Sequence, residues 1–342
     1  MFKKILYIGS KYDYAISKKK KSLNYFAWYK SFKKLKYNTK GIFYEDFADS
    51  LSLQNKIISF SLLFKPDLIF FILRKSEIKI STLLNLKKNN FFTINFFGDD
   101  NWRFDNFSSN YSKYFSAVIT DSIFNIKKHN ELGQRNVIYS NWASLDILKK
   151  KKNIKYIYDV SFIGQCNGYR KWLINELLKN KIKVNCFGPG WDNNYISYEK
   201  MSKIISQTKV NLNIPNSLSY DIRYILSSIK NFLSFIKNII NCEPKNFHEI
   251  KARNFEICFS GGFQITNYIP FLEKSFTIGK EIVCYQGLND LIQLINYYLH
   301  NDKDREKIKT NGEKKALMYH SYEKRIQFIM KSLNKIKYKD LN

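Results

Sequence analysis

The sequence predicts an α/β protein of two Rossmann-like, doubly wound domains with parallel sheets, on three observations. Ile5 to Ser10 is an apolar strand ending in a glycine turn, the usual opening of such a domain. Tyr158 to Gly164 repeats that unit, and Gly168-Tyr169-Arg170-Lys171 opens a helix behind it. Residues 251–285 then read as helix, glycine turn, strand, helix and strand within one short stretch. The 342 residues suit two domains, each able to bury its own core.

The elements follow in order. Lys18 to Lys21 precede a helix carrying Tyr25, Phe26, Trp28 and Tyr29, and the lysines read as a solvated helix start or as a groove for an anionic acceptor or lipid head group. Pro66 to Leu73 and Phe92 to Phe97 are continuous apolar runs, as expected of central parallel strands covered on both faces. The second run ends at Gly98-Asp99-Asp100-Asn101-Trp102, polar residues where α/β sites form. Paired aspartates suggest Mg²⁺ or Mn²⁺, but no further ligand accompanies them, and no metal is expected. Ala117 to Asp121 and Val137 to Ala143 are further strands, and the first domain is expected to end near Asp146, spanning 1–150 with a solvated linker at Lys149 to Lys152.

Beyond Tyr158 to Gly164, strands are expected at Ile182 to Trp191, which contains Gly188, and at Val210 to Pro215. Ile222, Ile225, Leu226, Ile229, Leu233 and Ile236 follow helical spacing up to Ile240, with Arg223, Lys230 and Lys237 among them. Such a helix packs on its own domain or docks, helped by Lys18 to Lys21, on an anionic membrane. Packing is the expectation. Lys251 to Phe259 is a short helix carrying Arg253 and Glu256, and Gly261-Gly262 leads into the strand Phe263 to Thr266. A glycine pair there fits an ordinary turn or a close approach to ligand. Asp290 to Leu299 is an amphipathic helix, and the next is expected to stop at Asn311-Gly312.

The charge, 57 − 29 = +28, points to nucleic acid, an anionic membrane or an anionic substrate. Scarce Gly (13) and Pro (5) beside abundant Lys, Asn and Ile suggest that A/T-rich coding supplies part of it. Lysines are scattered and no nucleic-acid module appears. Cys166, Cys186, Cys242, Cys258 and Cys284 form no C-x-x-C pair, so a reducing cytoplasm is expected. No G-x-G-x-x-G follows Gly9, which argues against a dinucleotide cofactor.

K-x-R-N-F-E-I-x-x-S-G-G-F-Q-I-T over 251–266 resembles the C-terminal signature of the spore-maturation (CgeB-like) glycosyltransferases, of the GT-B class. F-G-D-D-N-W-R-F, V-I-T-D-S, S-N-W-A, V-N-C-F-G-P-G-W and H-S-Y-E-K-R also resemble that family, in its order, from about residue 90 onward. The resemblance implies a GT-B fold with the sheets facing an interdomain cleft. It implies an acceptor domain over 1–150, a nucleotide-sugar donor domain over 151–320, and a last helix, 321–342, crossing back to the first domain. Glu256 would hold the ribose, Arg170 and Arg253 the diphosphate, and Gly164, Gly188, Gly261, Gly262, Thr266 and His248 would complete the donor site. The family's E-x7-E places its first acid at His248, with Glu249 one position off, so that glutamate's role does not carry over.

A glycan, lipid-linked or protein acceptor follows, with no cofactor beyond the nucleotide-sugar co-substrate. For inversion, the base would come from the first domain, with Asp100 the candidate. A basic nucleic-acid-binding protein and a non-catalytic scaffold of the same fold are the competing readings.

Overall fold

The structure, a computed structural model, describes residues 2–13, 20–149, 155–192, 196–215, 219–240 and 249–339. Its strands are β1 (Lys4–Gly9), β2 (Asn38–Phe43), β3 (Leu68–Phe71), β4 (Thr93–Phe97), β5 (Ala117–Thr120), β6 (Val137–Tyr139), β7 (Tyr158–Ile163), β8 (Asn185–Phe187), β9 (Thr208–Asn213), β10 (Gln264–Asn267) and β11 (Val283–Tyr285). The helices of the first half are α1 (Ser31–Lys34), α2 (Ser50–Phe64), α3 (Ile80–Lys88), α4 (Asp100–Arg103), α5 (Ser109–Tyr111) and α6 (Asn125–Glu131). Those of the second half are α7 (Gly168–Lys179), α8 (Tyr198–Ser206), α9 (Ile222–Ile225), α10 (Ile229–Ile240), α11 (Ala252–Phe259), α12 (Leu288–His300), α13 (Asp302–Tyr319) and α14 (Tyr322–Lys339).

The strands form two separate sheets, ordered β2-β1-β3-β4-β5-β6 and β11-β10-β9-β7-β8. All their pairings are parallel. Two Rossmann-like domains are therefore present, as the repeated strand-and-glycine unit predicts. The chain divides into two compact units, Met1–Trp142 with Tyr322–Asn342, and Ala143–Ser321.

In the first unit, β3, β4 and β5 are wholly buried, which is why they are mostly apolar; the polar exception inside β4, Asn95, is buried with its side-chain oxygen accepting the Leu73 amide at 3.0 Å. Trp28, fully buried, lies 5.0 Å from Phe70, 4.9 Å from Phe96 and 5.5 Å from Tyr322, so α14 closes this unit's core. The edge strand β2 has no sequence signal, because Asn38-Thr39-Lys40-Gly41 interrupts any apolar run.

Two expectations about helices fail. The Ile222 to Ile240 stretch is two helices, and α10 has no buried residue. Gly312 does not end a helix; α13 runs through it to Tyr319. A Cβ at Gly312 would lie 2.3 Å from the Glu281 carbonyl oxygen, so the glycine serves a close helix–backbone approach.

Candidate functional site

In each sheet the strand order reverses once, between β1 and β3 and between β7 and β9. Loops diverge at such a point and leave a crevice at the carboxyl ends of the strands, where α/β proteins bind ligands.

At that edge of the second unit the chain places Arg170, Arg253, Glu256 and Thr266. Arg170 stands in the first turn of α7, capped by Asn167, whose side chain accepts from the Arg170 amide at 2.9 Å. Its Nε donates to the Ile214 carbonyl at 2.8 Å, Nη1 to Gln165 at 2.9 Å and Nη2 to Pro215 at 3.1 Å. The guanidinium thus spans the β7–β9 switch and ties the loops after both strands. Burial, with Arg253 nearby, lowers its pKa to about 10. Three of five N–H groups serve the backbone, leaving two for a ligand.

Helix α11 runs antiparallel to the strands, so its start meets their carboxyl ends. Asn254 donates from its side chain to Thr266 Oγ1 at 3.3 Å, and Asn213 donates to the same oxygen at 3.2 Å. Arg253 and Glu256, one turn apart, pair at 3.0 Å. The Glu256 side chain is 5% exposed and that of Arg253 24%, so the guanidinium shields the acid from solvent. Arg253 also touches the Met201 sulfur. Burial raises the Glu256 pKa above its usual value, and Arg253 opposes that rise.

The remaining candidates divide. Gly164 and Gly188 also lie at the carboxyl edge, where the loops after β7 and β8 touch. A Cβ on Gly188, at φ 124°, would stand 2.6 Å from the Gly164 carbonyl oxygen, which already accepts from the Trp191 indole at 3.0 Å. Gly261 and Gly262 lie at the opposite edge, and this corrects their expected role. A turn from helix to strand sits at the amino end of a parallel sheet, one helix length from the ligand edge. Gly261, at φ 68°, ends α11, and the Gly262 amide closes on the Ile257 carbonyl at 2.9 Å. A Cβ on Gly262 would meet Ile205 at 2.5 Å, so packing excludes a side chain there. His248 lies outside the described residues, as do Lys18, Lys19 and Lys150 to Lys152.

The carboxyl edge of the first sheet holds a cavity of about 600 Å³ that the sequence reading did not identify. Arg74, Lys75, Arg103, Asp99, Trp102 and Trp142 are among its lining residues. The same strand-end rule would have found Arg74 and Lys75, which follow the apolar run through Leu73. Asp121 shapes the rim: its carboxylate accepts the Asp99 amide at 2.8 Å, the Asp100 amide at 3.0 Å and the Trp142 indole at 2.9 Å.

Asp100 does not reach the cavity. It is fully buried; its Oδ2 accepts the Thr120 hydroxyl and faces His129 Nε2 at 2.9 Å, while His129 Nδ1 meets Ser112 Oγ at 2.7 Å. A base at the mouth of the site cannot be this residue in this arrangement, which corrects its expected position. Asp99 and Asp100 diverge because Asp99 takes a left-handed conformation, φ 59°, before α4 begins. They do not form a shared carboxylate pair.

Residues 170–331 match the family described as glycosyl transferase-like. No curated protein matches the chain in sequence. Among solved structures, HepE of Anabaena in complex with UDP and glucose is similar at 11% identity and a TM-score of 0.62, over 98% of this chain and 100% of that one. Sucrose-phosphate synthase from Thermosynechococcus elongatus is similar at 8% identity and a TM-score of 0.60, over 98% and 99%. The pneumococcal O-GlcNAc transferase GtfA is similar at 10% identity and a TM-score of 0.52, over 83% and 60%. At such identities the likeness establishes the fold, a two-domain GT-B fold.

Proposed function

We propose that the chain transfers a sugar from a nucleotide-sugar to a glycan, lipid-linked or protein acceptor, in bacterial surface polysaccharide or glycoconjugate synthesis, and that it is a relative of the spore-maturation (CgeB-like) transferases. The observation that carries this is the meeting of Arg170, Arg253 and Glu256 at the carboxyl edge of the second sheet, inside the stretch that matches glycosyl transferase-like proteins. HepE, whose fold is similar, binds UDP and glucose.

In this reading Glu256 accepts hydrogen bonds from the ribose hydroxyls once Arg253 swings off it toward the diphosphate. Arg253, with the two remaining Arg170 donors, stabilises the charge that grows on the departing diphosphate. No step requires a metal, so EDTA should leave transfer intact. The acceptor occupies the cavity of the first unit, where Trp102 and Trp142 offer flat faces to a sugar ring. Retention of configuration would need no base from the protein. If configuration inverts, Asp99 replaces Asp100 as the candidate base.

The test is titration of UDP, GDP and ADP, free and as their sugars, into wild type and Glu256→Gln. A bound donor at about 100 times its Kd should stabilise the fold by about 2.7 kcal/mol. Glu256→Gln keeps one acceptor oxygen and loses the other, so binding should weaken about ten- to hundredfold, at roughly 1.5–3 kcal/mol for the one charged bond lost. Equal affinities would remove Glu256 from the site. No stabilisation by any donor would favour a non-catalytic scaffold.

A further inference from the structure

Among the described residues, helix α10 is the one long helix of the second unit with no buried residue. It rests on the unit through Phe235, which packs on the core and meets Tyr220 at 5.6 Å, and through Asn231, which lies against Gly168. The rest of its apolar surface faces outward: Ile229 is 80% exposed, Ile240 72% and Leu233 59%. At 100° per residue the apolar positions fill an arc of about 160°, with Ile229, Leu233, Ile236 and Ile240 along its outer part. Lys230 and Lys237, two turns apart, stand together on one border of that stripe. Both are exposed, and neither pairs with a carboxylate among the described residues. Residues 222–240 contain no acid at all.

A soluble protein does not usually leave such a stripe in water without a use for it. Charge decides which use. A second copy would bring Lys230 and Lys237 against an equally basic face, on a chain of net charge +28. Nucleic acid would satisfy the lysines but offers nothing to isoleucine. An anionic bilayer satisfies both, because acyl chains take the apolar stripe while the lysine stems run along it and their ammonium groups stay at the phosphates.

We propose that α10 lies in the interface of an anionic phospholipid membrane, about 18 Å of helix parallel to the surface, and holds the second unit there.

The test is cosedimentation of the full chain with vesicles of phosphatidylcholine alone or containing phosphatidylglycerol. Retention on the anionic vesicles should be at least about tenfold stronger, and should weaken as salt shortens the screening length. Leu233→Asp with Ile240→Asp should lower retention by about tenfold or more, from lost apolar burial and added repulsion. Leu63→Asp, at a still more exposed leucine elsewhere, should leave it unchanged. Thermal midpoints report whether the α10 variant folds; a drop of more than a few degrees would show the face to be packed, and would overturn the proposal. Equal retention on both lipids would overturn it too, as would variant retention equal to wild type. A change in oligomeric state by light scattering, with lipid retention unaltered, would assign the face to a second copy instead.

Discussion

Asp100 and Glu256 are both buried carboxylates, and their neighbours separate their uses. Asp100 is enclosed by Thr120, His129 and the Asn125 amide, which donates to its backbone carbonyl at 2.6 Å. Asp100→Asn should therefore cost about 1–3 kcal/mol of stability, the usual penalty for an unmatched buried group. It should leave nucleotide affinity unchanged, as denaturant unfolding and calorimetric titration would show. Glu256 carries a pH signature. Burial raises its folded pKa above the 4.5 expected of the unfolded chain, so the folded state binds more protons between those values. Its contribution to stability is full below the unfolded pKa and is lost as pH rises through the folded one. Glu256→Gln removes that slope, so the variant should gain on wild type as pH climbs above 4.5, read by urea unfolding across acid pH. The Glu256–Arg253 pairing was legible as an i, i+3 spacing. The burial of Asp100 was not, because one step at a helix start turns a side chain by about 100°, and only the packed neighbours say which of Asp99 and Asp100 faces out.

At the scale of elements, glycines test the account best. Ala is the better helix former by about 1 kcal/mol, so propensity alone says that Gly312→Ala should stabilise α13. The Glu281 carbonyl forbids it, and we expect a loss of about 1–3 kcal/mol instead, the usual range for overpacking. Gly262→Ala should destabilise similarly through Ile205 while leaving nucleotide affinity unchanged. A selective loss of affinity there would restore the glycine pair to the ligand site. The edge at which Gly261-Gly262 lies was in fact readable, since a turn that follows a helix in a parallel α/β unit sits at the amino end of the strands. What α10 rests on was not readable, because an amphipathic period describes a stripe but not its partner.

For the whole molecule, the last helix carries the clearest consequence. Tyr322, Ile326, Ile329, Met330 and Leu333 are buried in the first unit, far along the chain from the strands they cover. Arg325, half-buried, has its pKa lowered to about 10 by desolvation, donates to the Trp142 carbonyl at 3.3 Å and so braces a wall of the cavity. Tyr322→Ala should cost about 3–5 kcal/mol, as for other large buried aromatics, by opening a void beside Trp28. Near-ultraviolet circular dichroism and thermal unfolding would register it. Unchanged stability would mean that α14 does not close the first core. Among the described residues no helix is long and apolar enough to cross a membrane.

The sequence by itself determined the class of fold, the two sheets and most of their strands, because apolar runs ending in glycine or polar residues are local signals of buried parallel strands. The resemblance to GT-B transferases, not spacing or composition, brought Arg170, Arg253 and Glu256 forward as a group. Tertiary structure alone decided which carboxylate is enclosed, that Arg170 spends three donors on the backbone, and that Gly262 and Gly312 are small for packing. It alone decided that α10 keeps Ile229, Ile239 and Ile240 in solvent. The reason is common to all four: burial and hydrogen-bond partners come from residues distant in the chain, and periodicity, spacing and composition record only near neighbours.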